Sequence, residues 1–283
     1  MILCGMDEAG YGPKLGPLAV GATVLPAPLP RKPCPVTVAD SKKVYTPARG
    51  LSALERTVLS FAGQRLSLDG LTYRRFREAA AGPLPDLPWY GDFPLPCATA
   101  EVAVPAVRRW LGRREFYFAA RLVEPDGINR VTNKADLLFA TVAELVRDLL
   151  GRFPEEPMTF RIGKQGGRRF YGPLLATAFG ALVRVETEEP DRSAYAAALG
   201  GREVIFEFLE DGEDRDFLLA LSSNFAKYLR EGAMRLFNAY WKEHIGGIAP
   251  TAGYGTDGTR FYREIEPEMS RLRLSPALVW RNR

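Results

Sequence analysis

Residues 1–26, with the sequence MILCGMDEAGYGPKLGPLAVGATVLP, contain two apolar runs separated by a turn rich in glycine and proline. The first run, residues 2–6, ends at Asp7, and the second run, residues 16–25, ends at Pro26. Short apolar runs bounded by turn residues are typical of strands buried inside a sheet. We therefore predict two buried strands at the start of the chain, with an acidic residue where the first strand ends.

The rest of the chain alternates between further strand-like runs and stretches with helical spacing of apolar residues. Strands are predicted at residues 115–123, 158–162, 182–186 and 203–209, and helices at residues 47–63, 134–150, 170–179 and 216–244. The first of these helices is expected to start at Thr46 and Pro47, because a threonine cap followed by proline is a common helix start. Residues 82–96, which contain five prolines, are predicted to form an irregular loop. This alternation predicts an α/β fold with a mixed sheet.

The composition is that of a soluble globular protein, since 46% of the 283 residues are hydrophobic and 25% are charged. The 38 basic and 34 acidic residues give a net charge of +4, which mildly favours a polyanionic partner. Three cysteines without C-x-x-C spacing and one histidine, His244, argue against a disulfide framework, a structural zinc site and histidine-based catalysis. No segment is apolar and long enough to span a membrane, and the three cysteines fit a reducing cytoplasm, where we expect the protein. The oligomeric state is not predicted.

The residues best suited to chemistry follow the first apolar run, where Asp7 and Glu8 are succeeded by glycines at positions 10, 12 and 16. Side chains alternate across a strand, so one of the two acids should face inward, where a carboxylate is costly unless a cation compensates it. Hard carboxylate oxygens suit Mg²⁺ or Mn²⁺. The glycines would let the backbone N–H groups approach a nucleic acid. A solvated acidic turn is the alternative interpretation.

Four short motifs, in this order along the chain, resemble those of the type 2 ribonucleases H, the ribonuclease HII family. They are DEAGYGP at residues 7–13 followed by LGPL at residues 15–18, DSKK at residues 40–43, AKYLREGAM at residues 226–234 and GYGT at residues 253–256. The resemblance implies one ribonuclease H-like domain over residues 1–283, with a mixed sheet flanked by helices. Insertions relative to the family are expected around residues 64–130 and 164–202.

The activity that this resemblance implies is that of a metal-dependent endoribonuclease. Its partner would be an RNA/DNA hybrid, whose RNA strand it cleaves, or DNA that contains an embedded ribonucleotide. Mg²⁺ or Mn²⁺ would bind in a two-metal site. Asp7 and Glu8 match the first two metal-binding acids of the family, and the fourth acid falls on Glu213 or Asp214. These four residues are therefore the expected metal-binding and catalytic residues.

The resemblance also implies a set of substrate-binding residues, namely Gly10, Tyr11, Gly12, Ser41, Lys42, Lys43 and Tyr254. The first three match a Gly-Arg-Gly loop of the family that recognises a 2′-hydroxyl. Tyr11 replaces the arginine of that loop, which weakens a charge contact but leaves recognition by the backbone possible. The two lysines would contact phosphates with help from Ser41, and Tyr254 would stack on a sugar at the RNA–DNA junction.

The sequence departs from the family at the third acid, because Gly163 stands where that acid should end the strand at residues 158–162. Either another acid reaches the site, or one metal is bound more weakly, or the site is inactive. A catalytically impaired hybrid-binding protein and another ribonuclease H-like nuclease are therefore open alternatives. Two further features also have two interpretations. Residues 164–169, KQGGRR, could bind a phosphate backbone or form a solvated basic turn, and Glu231 could lie near the site or in solvent.

Overall fold

Seven strands form one mixed sheet in the computed structural model, which describes residues 1–45 and 50–282. The strands are β1 (Ile2–Ala9), β2 (Leu18–Pro26), β3 (Tyr117–Val123), β4 (Met158–Gly163), β5 (Val183–Glu188), β6 (Arg192–Leu199) and β7 (Arg202–Leu209). The helices are α1 (Ser41–Val44), α2 (Ser52–Ala62), α3 (Tyr73–Ala81), α4 (Ala98–Leu111), α5 (Pro125–Asn129), α6 (Lys134–Arg152), α7 (Gly172–Phe179), α8 (Phe217–Ile245) and α9 (Gly255–Arg271).

The strand order is β3-β2-β1-β4-β7-β6-β5. Strand β2 pairs antiparallel with β1 and β3, whereas β4 pairs parallel with β1 and β7. The β7, β6 and β5 strands continue the sheet in antiparallel pairs. A mixed sheet flanked by helices confirms the predicted α/β fold class.

Strand β1 is longer than predicted, and this changes the place of the acidic pair. Asp7 pairs with Gly21 of β2, and Glu8 pairs with Val20, so the strand continues to Ala9. The strand thus continues three residues beyond the apolar run at residues 2–6, because pairing with β2 holds both acids in extended conformation. Asp7 and Glu8 therefore lie inside a central strand, on opposite faces of the sheet.

Helix α8 lies unusually close to β1 and β2 because two glycines of these strands lack side chains. A Cβ atom added at Gly5 would lie 2.2 Å from the Leu218 carbonyl carbon, and one at Gly21 would lie 2.7 Å from the Ser222 carbonyl oxygen. The Ser222 hydroxyl also donates a hydrogen bond to the Gly5 carbonyl at 2.8 Å. This close contact fixes the first turns of α8 against the acidic end of β1.

The opposite face of the sheet is covered by α6 and α7, whose buried side chains include Leu138, Leu145 and Leu175. The core on the α8 side also contains α2, α3 and α4, with aromatic contacts such as Phe76 with Phe118 at 6.0 Å between ring centroids. The expected insertion at residues 64–130 thus includes α3, α4 and the edge strand β3, and the one at residues 164–202 includes α7, β5 and β6.

The predicted elements agree with the structure apart from some ends and omissions. Helix α2 starts at Ser52 and not at residue 47, while the predicted start at Thr46 and Pro47 lies outside the described residues. Helices α1, α3, α4, α5 and α9 and strand β6 were not predicted. Within the described parts of the chain, no helix is long and apolar enough to cross a membrane. The three cysteines, Cys4, Cys34 and Cys97, are free thiols.

Candidate active site

A cavity of about 470 Å³ lies where β1 ends beside the first turns of α8. Nine of the eleven predicted site residues line it, namely Asp7, Glu8, Gly10, Tyr11, Gly12, Ser41, Lys42, Glu213 and Tyr254. Five lining residues were not predicted as site residues, namely Ala9, Tyr45, Ser223, Lys227 and Ala252. Residues from five separate parts of the sequence thus meet at one place.

Three carboxylates share this cavity. Asp7 and Glu8 come from β1, and Glu213 comes from a short 3₁₀ helix, Gly212–Asp214, that directly precedes α8. Burial, together with the charges of Glu8 and Glu213, raises the pKa of Asp7 well above its usual value. Burial and the charge of Glu213 raise the pKa of Glu8 to about 7. The three acids therefore repel each other in a place where water screens them poorly.

The partial compensation of these charges comes from Ser223 and from α1. A hydrogen bond from Ser223 lowers the pKa of Asp7, and the Ser223 hydroxyl also lies 2.9 Å from the Ser41 hydroxyl. Burial lowers the pKa of Lys42, but the nearby acids, including Asp7, Glu8 and Glu213, raise it above its usual value. Lys42 thus lies near the three acids. None of these acids forms an ion pair with a residue that the structure describes.

Asp214 and Lys43 lie outside the cavity wall and pair with each other. Their side chains are 49% and 60% exposed, respectively. Of the two alternatives for the fourth acid, Glu213 is the one that lines the cavity. The structure therefore does not bring Asp214 and Lys43 into the cavity wall, and their expected roles in metal binding and phosphate contact stay predictions.

Glu231 is buried, so its interpretation as a solvated helix residue was wrong. Its carboxylate accepts hydrogen bonds from Lys227 at 2.8 Å, Arg230 at 3.1 Å and Tyr45 at 3.2 Å. Two cations and a phenol thus satisfy this acid, which leaves it little capacity for a metal. Its effect is to fix Lys227 and Tyr45 in the cavity wall.

The glycine loop at residues 10–12 is held from behind by two buried arginines. Gly10 has a φ of +85°, and a Cβ atom there would lie 2.3 Å from Nε of Arg230. The Arg281 guanidinium is 2% exposed and donates to the carbonyl oxygens of Gly10 at 2.6 Å and Gly16 at 2.7 Å. These contacts require glycine at position 10. Arg281 had no recognisable signal in the sequence, because 271 positions separate it from Gly10.

Two aromatic rings flank this loop. Tyr254 is 45% exposed, and its ring lies near Gly12. A Cβ atom added at Gly12 would lie 3.8 Å from Cε1 of this ring. The guanidinium of Arg230 lies 5.4 Å from the centre of the same ring. On the other side, the Lys134 ammonium lies 4.7 Å from the centre of the Tyr11 ring. The cavity therefore offers aromatic faces and loop backbone beside its carboxylates, a combination suited to nucleotides.

Gly163 lies directly beside Asp7 at the end of β4. A Cβ atom at this position would come within 2.8 Å of the Asp7 carboxylate oxygen Oδ1. The carboxylate of Asp7 thus takes up the space into which a side chain at position 163 would extend. An acidic side chain at position 163 would have to displace the Asp7 carboxylate. This position therefore supplies no further carboxylate beside Asp7 and Glu8.

The oxygen atoms of this site match Mg²⁺ or Mn²⁺ in type, because both cations prefer hard carboxylate and hydroxyl ligands. Among residues 1–45 and 50–282, however, no three histidine, cysteine, aspartate or glutamate side chains form a group that could hold a metal ion. Magnesium is commonly bound by one or two carboxylates together with water and substrate phosphates. The donors therefore fit a cation that is shared with a substrate, rather than one enclosed by protein alone.

Several solved protein structures are similar to this chain. No protein-family model and no curated protein matches the chain. Ribonuclease HII in its PCNA complex from Archaeoglobus fulgidus is 17% identical with a TM-score of 0.45, over 100% of this chain and 95% of that one. Ribonuclease H2 from Pyrococcus horikoshii OT3 is 15% identical with a TM-score of 0.44, over 99% and 92%.

A third solved structure, Bst-RNase HIII in complex with Mn²⁺, is 15% identical with a TM-score of 0.46, over 100% of this chain and 66% of that one. All three structures are ribonucleases HII, H2 or HIII.

Proposed function

We propose that the chain is a metal-dependent endonuclease of ribonuclease H type. Its substrate would be an RNA/DNA hybrid or duplex DNA that contains a ribonucleotide. The observation that carries this proposal is the convergence of Asp7, Glu8 and Glu213 on one cavity beside a glycine loop and Lys42. Unpaired buried carboxylates are costly, and sites that retain them commonly bind cations.

The divalent cation would be held by Asp7, Glu8 and Glu213 together with the substrate. When bound, Mg²⁺ or Mn²⁺ stabilises charge on a scissile phosphate and makes water more acidic. Ser223 would keep the Asp7 carboxylate oriented through its hydrogen bond. Lys42, which lies in the electric field of all three acids, would contact a phosphate oxygen once the cation has neutralised them. The number of cations remains a prediction.

Recognition of a ribose would fall to the glycine loop and Tyr254. The positive φ of Gly10 turns the backbone away from β1, so that residues 10–12 line the cavity. Backbone groups of this loop would contact a 2′-hydroxyl, which is the group that separates RNA from DNA. The partly exposed Tyr254 ring offers a flat surface on which the sugar of the next nucleotide would pack.

Cleavage assays with four labelled substrates test this proposal. They are an RNA/DNA hybrid, duplex DNA with one ribonucleotide, all-DNA duplex and branched DNA, each with Mg²⁺ or Mn²⁺. We expect cleavage of the first two substrates, and its loss both in Asp7→Asn and on chelation. Asp214→Asn, a surface carboxylate already paired with Lys43, is the matched control and should retain activity. Cleavage of the branched or all-DNA substrate instead would indicate another nuclease of this fold.

A second candidate function is hybrid binding without cleavage. It is favoured by the position of Gly163 beside Asp7 and by the lack of a complete group of metal-binding side chains among the described residues. In that case the wild-type protein would bind the hybrid with and without divalent cations and would cleave none of the four substrates. Binding assays on the same preparations separate the two functions.

A further inference from the structure

Residues 163–169, here called the 163–169 loop, connect β4 to the segment before α7 and lie beside the cavity. Gly166 has a φ of +61°, and a Cβ atom added there would lie 3.9 Å from the Tyr11 hydroxyl. Tyr11 itself lines the cavity. The 163–169 loop therefore lies next to the Tyr11 hydroxyl.

Two basic side chains surround Tyr11 at this place. Lys134, at the start of α6, has its ammonium 4.7 Å from the centre of the Tyr11 ring and forms no ion pair with any described residue. Arg168 pairs through Nη2 with Asp136, while its buried Nη1 has no hydrogen-bond partner in the described chain. Among the described residues, Arg168 is thus paired with a carboxylate and the Lys134 ammonium is not.

The loop is held in position by the segment that follows it. The Gln165 N–H donates to the Tyr171 hydroxyl at 3.0 Å, and the Tyr171 N–H donates to the Tyr195 hydroxyl at 2.9 Å. The Ser193 hydroxyl donates to the Arg169 carbonyl at 2.7 Å. Tyr195 and Ser193 belong to β6, so the antiparallel extension of the sheet fixes the loop. A fixed loop loses little conformational entropy when it binds a ligand.

Gln165 is the least satisfied polar residue of the loop. It is 1% exposed, and neither Oε1 nor Nε2 of its amide has a hydrogen-bond partner among the residues that the structure describes. A buried polar group without a partner is costly, because it has lost its hydrogen bonds to water. This loop thus contains unpartnered donors on both Gln165 and Arg168.

We propose that Lys134, Arg168 and the 163–169 loop form a subsite for a phosphate of the nucleic-acid strand, next to the phosphate bound at the acids. This proposal rests on the proposed function. It adds the path of the nucleic-acid strand beyond the acids, which would run past Tyr11 toward α6. Lys134 would supply an uncompensated charge, and Arg168 would donate from Nη1 while Nη2 remains paired with Asp136. Contacts of this kind position a strand without reading its sequence.

The salt dependence of binding tests this subsite. A labelled RNA/DNA hybrid is titrated with protein in a chelating buffer, so that no cleavage occurs, at several salt concentrations. Each phosphate contact contributes roughly −0.9 to the slope of log K against log salt concentration on duplex nucleic acid. We expect Lys134→Ala to reduce the magnitude of that slope by about this amount and to weaken binding. Asp136→Asn, which removes the competing carboxylate, should strengthen binding.

Lys242→Ala is the matched control, since Lys242 is an exposed lysine in the last turn of α8. It changes the net charge as Lys134→Ala does. Equal slopes for Lys134→Ala and Lys242→Ala, in a wild-type protein that binds the hybrid, would overturn the subsite and leave the proposed function standing. A wild-type protein that binds no hybrid would overturn both. Circular dichroism of each variant checks that the variant is folded, so that a smaller salt slope is not caused by unfolding.

Discussion

The Arg281 guanidinium donates a hydrogen bond from Nη1 to the carbonyl oxygen of Gly10 at 2.6 Å, from a position 271 residues away in the sequence. The same guanidinium donates to Pro13 and Gly16 carbonyls. Arg281 forms no ion pair among the described residues, and burial lowers the pKa of its guanidinium. A buried cation with only carbonyl partners is costly to keep, so we infer that it serves the shape of the glycine loop.

Replacing Arg281 should therefore destabilise the protein and loosen the loop. Arg281→Met leaves three buried carbonyls without their donor, and we expect the free energy of unfolding in urea to fall by roughly 2–4 kcal/mol. Arg281→Lys keeps the charge but loses the fork geometry, so its loss should be smaller. Arg263→Met, at an exposed position of α9, is the control and should change stability by less than about 0.5 kcal/mol. Equal losses in Arg281→Met and Arg263→Met would contradict this role.

Asp7 should destabilise the metal-free protein and stabilise the metal-bound one. Burial and two neighbouring carboxylates raise the pKa of Asp7, so its ionised form is disfavoured in the folded state. In a chelating buffer at pH 8, we expect Asp7→Asn to raise the free energy of unfolding by roughly 1–2 kcal/mol. Mg²⁺ or Mn²⁺ should then stabilise the wild type but not Asp7→Asn, because a ligand stabilises only the state that binds it.

Asp214→Asn is the control for that measurement, because the Asp214 carboxylate that it removes is exposed and paired with Lys43. Its stability should rise with added Mn²⁺ as much as that of the wild type. If Mn²⁺ stabilises neither the wild type nor Asp214→Asn, then no cation is held by this site.

Position 163 should tolerate no side chain without moving Asp7. A Cβ atom there would lie 2.8 Å from Oδ1 of Asp7, closer than the ordinary contact of such atoms. We expect Gly163→Ala to weaken Mn²⁺ binding by roughly 10-fold, measured by calorimetry, because the displaced carboxylate is a proposed ligand. Gly167→Ala is the matched control, since no atom lies within 4 Å of a Cβ atom at that position. Unchanged Mn²⁺ affinity in Gly163→Ala would show that Asp7 binds no metal, or that it moves freely.

The sequence was a good guide where apolar patterns are regular and a poor one elsewhere. Strand β4 and helices α6 and α8 lie within two residues of their predicted ends, because β4 is a short apolar run and both helices carry apolar residues at helical spacing. Strand β6 was missed, because four of its eight residues are alanines with weak strand preference. Helices α4 and α9 each contain a proline and were also missed. Pairing and packing override these local preferences.

The candidate site shows the same division. The residues next to one another in the motifs, such as Asp7, Glu8 and Ser41, line the cavity as the resemblance implied. The choice between Glu213 and Asp214 needed coordinates, since adjacent residues in a 3₁₀ helix face different directions. Arg281 and Tyr45 reach the site by tertiary contacts that have no local sequence signal.

Glu124 should make stability fall as pH rises. This carboxyl group follows β3 and accepts a hydrogen bond from the Tyr90 hydroxyl at 2.7 Å. Burial raises its pKa from 4.5 to about 7, against the opposing effects of Tyr90, Arg77 and Arg281. Between these two pH values the folded state binds more protons than the unfolded state, so the free energy of unfolding should decrease from about pH 4.5 to about pH 7.

Glu124→Gln removes this titration and keeps an acceptor for Tyr90. We expect the variant to match the wild type near pH 4.5 and to exceed its free energy of unfolding by roughly 2 kcal/mol at pH 8, a value reduced for partial exposure to solvent. Urea unfolding across this range measures the difference. Glu115→Gln, at an exposed position before β3, is the matched control and should leave the pH dependence as in the wild type. A constant difference between Glu124→Gln and wild type at all pH values would mean that the pKa of Glu124 is the same in the folded and unfolded states.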